Sequence, residues 1–196
     1  MKSVVRSFIA VDLASGLRSE IDKTARRLSA IAPEVKWVVP EQFHLTLKFL
    51  GDVPMTELYG MIRAAESACR GVEPFDLVLS GLGAFPNLDA PRTLWVGVNE
   101  GVEEIRALAA RLDAELYALG YPKESRQFMP HLTIGRLPRK ERSETTDQEL
   151  RDRLAQESET FFGVCPVDAV QVYSSELSRS GPKYELLSEI ELKSLS

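Results

Sequence analysis

His44-Leu45-Thr46-Leu47 returns 87 positions later as His131-Leu132-Thr133-Ile134, and these are the chain's only two histidines. Along an extended chain, side chains alternate between faces. His44 and Thr46 therefore share one face while Leu45 and Leu47 take the other, and His131 and Thr133 repeat the arrangement. Each tetrapeptide is read as a strand with an apolar side for a core and an imidazole beside a hydroxyl on its open side.

The flanking sequence repeats as well. Arg6 to Asp12 reads as a buried strand, Leu17, Ile21, Ala25 and Leu28 as a helix behind a cap at Ser15, and Val35 to Val39 and Phe43 to Leu50 as extended pieces around Pro40. Gly51-Asp52 signals a turn. A second helix is expected from Leu58, Ile62, Ala65 and Cys69, then a strand from Phe75 to Leu82. Arg92 to Val98 then starts the same order again, with Val102 to Leu119 striped as a helix before Gly120 and His131 opening the next strand. Arg6 precedes His44 by 38 positions and Arg92 precedes His131 by 39, which matches a duplication. A polar loop from Arg136 to Thr146 leads into a helix with a capping box at Thr146 and Glu149. Strands from Val167 to Tyr173 and from Tyr184 to Leu192 complete the reading. No Gly/Ser linker or low-complexity segment separates the halves, so residues 1–196 are taken as one domain of two packed pseudo-symmetric lobes with a cleft between them. The loop from Leu137 to Thr145 is read as its most mobile piece.

Composition narrows the function. With 196 residues, 44% hydrophobic and 27% charged, the chain can bury a core of its own. Its net charge of −5 offers no bulk positive field to hold a long polyanion, so any nucleic-acid contact must be local. The longest stretch without Asp, Glu, Lys or Arg runs only from Leu77 to Leu88, too short for a membrane span, and the apolar run from Phe8 to Val11 is too short for a signal peptide. A cytoplasmic monomer is the default expectation. Cys69 and Cys165 have no metal-binding or redox spacing and are expected as reduced thiols without a chemical role.

Two imidazoles and two hydroxyls lining one cavity suit acid–base chemistry at a phosphate. One histidine deprotonates the attacking oxygen, the other protonates the leaving oxygen, and Thr46 and Thr133 donate to the non-bridging oxygens. Symmetry alone does not assign the two roles. Arg136 adds a guanidinium for the same anion, provided that a bulge or strand end near Gly135 turns it inward. Lys48 and Arg126 are further candidate cations. Zinc catalysis would want three protein ligands, and no carboxylate lies at ligand spacing near either histidine. A serine triad has no G-x-S-x-G, and no phosphate-cradling glycine loop is present. No cofactor and no metal are expected.

The doubled H-x-T-x motif resembles the two-histidine phosphoesterase superfamily. The runs from Arg6 (RSFIAVDL), Trp37 (WVVPEQFHLTLKFLGDV), Phe85 (FPNLDAPRTLWVGV), Phe128 (FMPHLTIGR) and Ser175 (SELSRSGPKY) are similar to its RNA 2′,3′-cyclic phosphodiesterase, or 2′-5′ RNA ligase, branch. The resemblance implies an α+β fold of two pseudo-symmetric, mostly antiparallel sheets facing a central cleft with helices outside. It implies metal-independent opening of a terminal 2′,3′-cyclic phosphate to a 2′-phosphomonoester, with a reversible 2′-5′ joining activity. On this resemblance His44 is the proton donor to the departing 3′-oxygen, His131 the acceptor that activates water, and Thr46, Thr133 and Arg136 the phosphate contacts. Phe8, Phe43 and Tyr184 fall where rings can stack on a terminal base or equally fill the core. RNA ends or small cyclic-phosphate nucleotides such as an ADP-ribose cyclic phosphate are the expected partners. A non-catalytic nucleotide- or RNA-binding module and a metal-dependent hydrolase are the alternatives.

Overall fold

The computed structural model describes residues 4–138, 144–178 and 181–194. Among the described residues, nine strands and four helices follow in the order β1 (Val4–Asp12), α1 (Ser15–Ile31), β2 (Lys36–Trp37), β3 (His44–Pro54), α2 (Leu58–Cys69), β4 (Phe75–Phe85), β5 (Thr93–Glu100), α3 (Val102–Ala118), β6 (His131–Arg136), α4 (Glu144–Gln156), β7 (Phe161–Val167), β8 (Ala169–Ser178) and β9 (Gly181–Glu191). A single 3-10 turn, Pro40–Gln42, precedes β3.

The strands run β7-β4-β5-β6-β3-β1-β8-β9, with β2 paired to the outer end of β6. This is two four-stranded antiparallel arrays, β6-β5-β4-β7 and β3-β1-β8-β9, meeting edge to edge at one residue pair, Leu45 opposite Leu132. The α+β duplication expected from the two motifs is present, and the facing sheets are halves of one curled sheet. The helices interlock the halves. α1 leaves β1 in one array and packs against β7 and α4 of the other, while α3 leaves β5 and packs against β3 and α2. The other two helices stay with their own arrays, α2 against β9 and α4 against β4, so the crossed pair α1 and α3 ties the halves together.

Local patterning accounts for most of the elements. α1 buries Leu17, Ile21, Thr24, Ala25 and Leu28, and α3 buries Ile105, Leu108, Ala109, Leu112 and Leu116, each on one stripe. The α1 cap is Ala14 and not Ser15. Ala14 is extended, its carbonyl accepts from Arg18 N–H, and Ser15 is already helical, with its own carbonyl accepting from Ser19 Oγ.

Other expectations change for physical reasons. Gly51 sits inside the ladder at φ 72° opposite Ser7, with Leu50 the extra residue between it and Phe49, so the turn signal becomes a Leu50-Gly51 bulge and β3 continues to Pro54. β7 has no counterpart in the sequence reading, and it carries Gly163 and Pro166. Both are tolerated because β7 is an edge strand. The stretch Val167 to Tyr173 is interrupted at Asp168, whose carbonyl accepts from Leu192 N–H. Pairing register makes Phe8 the counterpart of Thr93, so the R-S and R-T dipeptides at Arg6 and Arg92 are not equivalent positions. α4 begins at Glu144, ahead of the capping box read at Thr146. Of the loop read from Leu137 to Thr145, residues 139–143 lie outside the described residues. Leu137 is buried, and its N–H donates to Arg92 O at 2.9 Å. No helix among the described residues is long and apolar enough to cross a membrane.

Candidate active site

The Leu45–Leu132 pair organises the site. Both leucines are fully buried, so the residues beside them, His44 and Thr46 on β3 and His131 and Thr133 on β6, take the opposite face, and all four are half-buried. Continuing the antiparallel register sets His44 across from Thr133 and His131 across from Thr46. The two imidazoles are then diagonal neighbours, which in a sheet stand about 7–8 Å apart, room for one phosphate between them.

Each ring is oriented in the same way. His44 Nδ1 lies 2.7 Å from Gln42 O, and His131 Nδ1 lies 2.7 Å from Met129 O, in both cases the carbonyl two residues upstream. A carbonyl only accepts, so Nδ1 carries hydrogen and donates, and Nε2 is left as the nitrogen that exchanges a proton with a ligand. The chain entering each strand is shaped for this by Pro40–Gln42 at one motif and by Pro130 at the other.

Arg136 reaches the same face through a bulge. Leu94 pairs with Gly135 and Trp95 with Thr133, so Ile134 is an extra residue and the alternation shifts by one. Ile134 and Gly135 both turn inward and Arg136 turns out. Its guanidinium donates to Thr93 Oγ1 at 3.5 Å, and its charge is felt by both histidines. β3 repeats the device. Ile9 pairs with Lys48 and Ala10 with Thr46, so Leu47 is extra, and Lys48 turns into the interior.

Lys48 is therefore not a phosphate ligand. It is only 7% exposed, and its Nζ donates to Asp113 Oδ1 at 2.5 Å and to Pro122 O at 2.7 Å. Arg126 is exposed in the segment between α3 and β6.

Burial lowers the pKa of both histidines, and Arg136 adds to the depression. The backbone carbonyl bonds oppose it, and at His44 alone so does the carboxylate of Asp12, the residue paired with His44 across the β1–β3 ladder. Asp12 is itself held, its Oδ2 accepting from Tyr173 Oη at 2.6 Å and its N–H donating to Gln171 Oε1 at 3.1 Å. The position equivalent to Asp12 beside His131 is Gly97. The two imidazoles thus differ in charged neighbours: His44 has Asp12, whose Oδ2 is 3.8 Å from Arg18 Nη2, and a smaller opposing influence from Arg18, and neither acts on His131.

Aromatic rings wall the site. Phe8 lies on His44 with centroids 4.9 Å apart, and Tyr184 meets the same imidazole edge-on at 5.4 Å. Phe85 meets His131 edge-on at 4.9 Å and continues to Trp95 at 5.3 Å. Trp95 lies so flat over Gly83 that a Cβ there would sit 2.2 Å from its ring. Phe8 is 3% exposed, so it forms the floor beneath His44. Phe43 is 1% exposed and belongs to the core, so it offers no face to a base. Of the three rings singled out from sequence, only Tyr184 keeps an open side. Asp12, Phe85, Trp95 and Phe49 were not singled out. Phe85 and Trp95 fall within the quoted run from Phe85, but which way they face depends on strand pairing. Among the described residues no three His, Cys, Asp or Glu side chains gather to hold a metal ion. The two thiols are buried, and burial pushes each up to about 11.

Comparison with known proteins agrees with this geometry. Residues 17–179 match the model of the 2′-5′ RNA ligase superfamily. The chain is 36% identical over 180 residues to an RNA 2′,3′-cyclic phosphodiesterase of Methanothermobacter thermautotrophicus, covering 92% of this chain and 95% of that protein. It is 33% identical over 192 residues to an RNA 2′,3′-cyclic phosphodiesterase of Aquifex aeolicus, covering 96% and 98%. Among solved structures, TT0787 of Thermus thermophilus superposes with a TM-score of 0.79 at 28% identity, covering 96% and 98%. E. coli LigT in complex with 3′-AMP, at 23% identity, shares the fold with a TM-score of 0.76 over the same shares. The chain belongs to the 2′-5′ RNA ligase superfamily, the two-histidine phosphoesterases, as its doubled motif implied.

Proposed function

We propose that this enzyme opens the 2′,3′-cyclic phosphate at an RNA end to a 2′-phosphomonoester, by acid–base catalysis between His44 and His131 without a metal. The observation that carries the reading is the matched pair of Nδ1–carbonyl hydrogen bonds across the Leu45–Leu132 seam, which leaves two Nε2 atoms free on one open face.

In the forward step, neutral His131 accepts a proton at Nε2 from a water attacking phosphorus. The P–O3′ bond breaks, and protonated His44 gives its Nε2 proton to O3′. The two histidines end with their protonation states exchanged. The polarity is supported by the charged neighbours: at His44 Asp12 favours the imidazolium more than Arg18 opposes it, whereas His131 has only Arg136. Thr46 and Thr133 donate to the non-bridging oxygens, and Arg136 balances the charge that accumulates on them. Replacing water by the 5′-hydroxyl of a second strand gives 2′-5′ joining through the same proton transfers. The net charge of −5 fits a site that grips one terminal phosphate and its nucleoside rather than a long backbone.

Phosphorus NMR of an oligonucleotide ending in a 2′,3′-cyclic phosphate, in excess EDTA, tests the reading. Conversion to the 2′-phosphate by the wild type supports it. A 3′-phosphate product overturns the polarity, and activity lost only to chelator overturns the metal-free mechanism. Binding without turnover marks a binding module. A parallel run with a cyclic mononucleotide tells an RNA-end enzyme from one acting on small nucleotides.

A further inference from the structure

Among the described residues the pairing of β8 with β1 ends at Ser7 opposite Ser174, yet β8 and β9 stay paired with each other out to Ser178 opposite Gly181. The outer part of this hairpin nevertheless reaches the histidine face. The Tyr184 ring lies 5.4 Å from the His44 imidazole and 5.0 Å from Phe8, and Pro182 O accepts from Gln42 Nε2 at 2.6 Å. The hairpin therefore bends across the His44 side of the site and is tied there to a residue 140 positions away in the chain.

Gln42 is also the residue whose carbonyl accepts from His44 Nδ1. It closes the turn Pro40–Gln42 and stands outside the β1–β3 ladder, which begins at Asp12 opposite His44. Its N–H donates within the turn, to Val39 O at 2.9 Å. The side-chain amide supplies the long-range tie that strand pairing does not, so one residue faces both ways: its carbonyl to the imidazole and its amide to β9. The second motif is built differently. The carbonyl that accepts from His131 belongs to Met129, which is 52% exposed and has no side-chain donor, and beside it Phe128 O accepts from Arg106 Nε at a longer 3.4 Å.

Resting on the proposed reaction, we infer that Gln42 is a positioning residue for the proton donor: its amide fixes to β9 the carbonyl that aims His44 Nε2 at the departing O3′. The two histidines need different guidance. O3′ is held by the ribose ring, so its proton must arrive along one direction, whereas an attacking water can turn to meet His131. The tie to β9 stands at the histidine that has to be aimed.

The test replaces O3′ by sulfur. In an oligonucleotide ending in a cyclic phosphorothiolate with sulfur at the 3′ position, the P–S bond breaks and sulfur leaves with the bonding pair as a thiolate. It needs no proton, because a thiol is a far stronger acid than a ribose hydroxyl. His44→Ala calibrates the comparison, with a large loss on the oxygen substrate and little on the sulfur one. Gln42→Met keeps the reach of the side chain and removes the donor, and losing one hydrogen bond should lower the oxygen-to-sulfur ratio of kcat about 2- to 10-fold while KM for the oxygen substrate moves less than about twofold. Gln42→Glu has the same shape and, ionised, no donor, and should lower the ratio likewise. Equal losses on both substrates, or no loss on either, overturn the assignment. A readout independent of turnover is exchange of the imidazole protons with water, followed by NMR of the ¹⁵N-labelled protein. In Gln42→Met the His44 Nδ1 proton should exchange faster while that of His131 exchanges as in wild type, and unchanged exchange at His44 overturns the tie. If sulfur does not rescue His44→Ala, it is the assignment of His44 as the acid that fails, and the exchange arm still decides whether the amide holds the ring.

Discussion

Leu45 and Leu132 face each other across the seam of the sheet, one pair joining β3 to β6, and each is followed and preceded by the residues of an H-x-T motif. Since both leucines are fully buried, the seam is an apolar hinge pin holding two polar surfaces side by side. The relative position of the two histidines therefore depends on a core contact and not on any bond between the imidazoles themselves.

The first prediction concerns the two histidines. His44→Ala and His131→Ala should each lower kcat by about 10²- to 10⁴-fold, the usual worth of a positioned acid or base. The double variant should fall well short of the product of the two, because either loss already disables the shared proton transfer. Single-turnover rates on a cyclic-ended oligonucleotide provide the measurement, and near-wild-type activity in either variant would contradict the mechanism.

The pH dependence follows from burial. Both imidazoles titrate below 6.5, so the bell in kcat/KM should have its maximum below pH 6.5. Arg136→Gln removes a cation that depresses both, so both limbs should move up. Asp12→Asn removes the anion that supports the His44 imidazolium, so the alkaline limb should move down. The same shifts act on stability. Groups with folded pKa values below the unfolded value contribute fully above pH 6.5, and that contribution is lost as pH falls through the folded values. Urea midpoints recorded downward from pH 6.5 should decline less in a His44→Asn/His131→Asn variant than in wild type.

Lys48 on β3 and Asp113 on α3 form a latch that also ties in the segment leading to β6, through Pro122 and Glu124. Asp113 Oδ1 also accepts from Glu124 N–H at 3.0 Å, and although burial resists ionisation, the bonds from Lys48 and Glu124 hold the carboxyl below its usual range. Asp113→Ala strands an ammonium in the interior and should cost about 3 kcal/mol in urea unfolding. Lys48→Met should cost less, since it leaves a carboxylate that is still 21% exposed and still bonded to Glu124. Equal costs for the two would show that the pair is not behaving as a buried charge.

Gly135 is where β2 closes on β6. A Cβ there would stand 2.8 Å from Val35 Cγ1 and 3.2 Å from Trp37 Cε3. Gly135→Ala should push β2 aside at a cost of about 1–3 kcal/mol, and should raise KM by displacing Arg136. Thermal unfolding and steady-state kinetics report the two effects separately. A variant as stable and as active as wild type would show that β2 yields freely.

Much of the site is legible in the chain because strand alternation is local. Two H-x-T tetrapeptides specify by period alone which side chains share a face, and the odd spacing of Arg136 from His131 already demands the bulge that Ile134 supplies. What the sequence leaves open are questions answered by distant partners. Whether Lys48 meets substrate or core is decided by Asp113, 65 positions away, because a bulge turned it inward and only a facing carboxylate makes that tolerable. Whether Phe43 or Phe49 meets solvent depends on where the register slips against β1. Pro166 and Gly163 fit a strand only because β7 is an edge, where a missing N–H does no harm. The residue types and their alternation thus determined the chemistry by themselves. The seam at Leu45 and Leu132, the crossed packing of α1 and α3 and the exposure of Phe49 were decided only by tertiary structure, since register and burial belong to pairs of segments and not to either one.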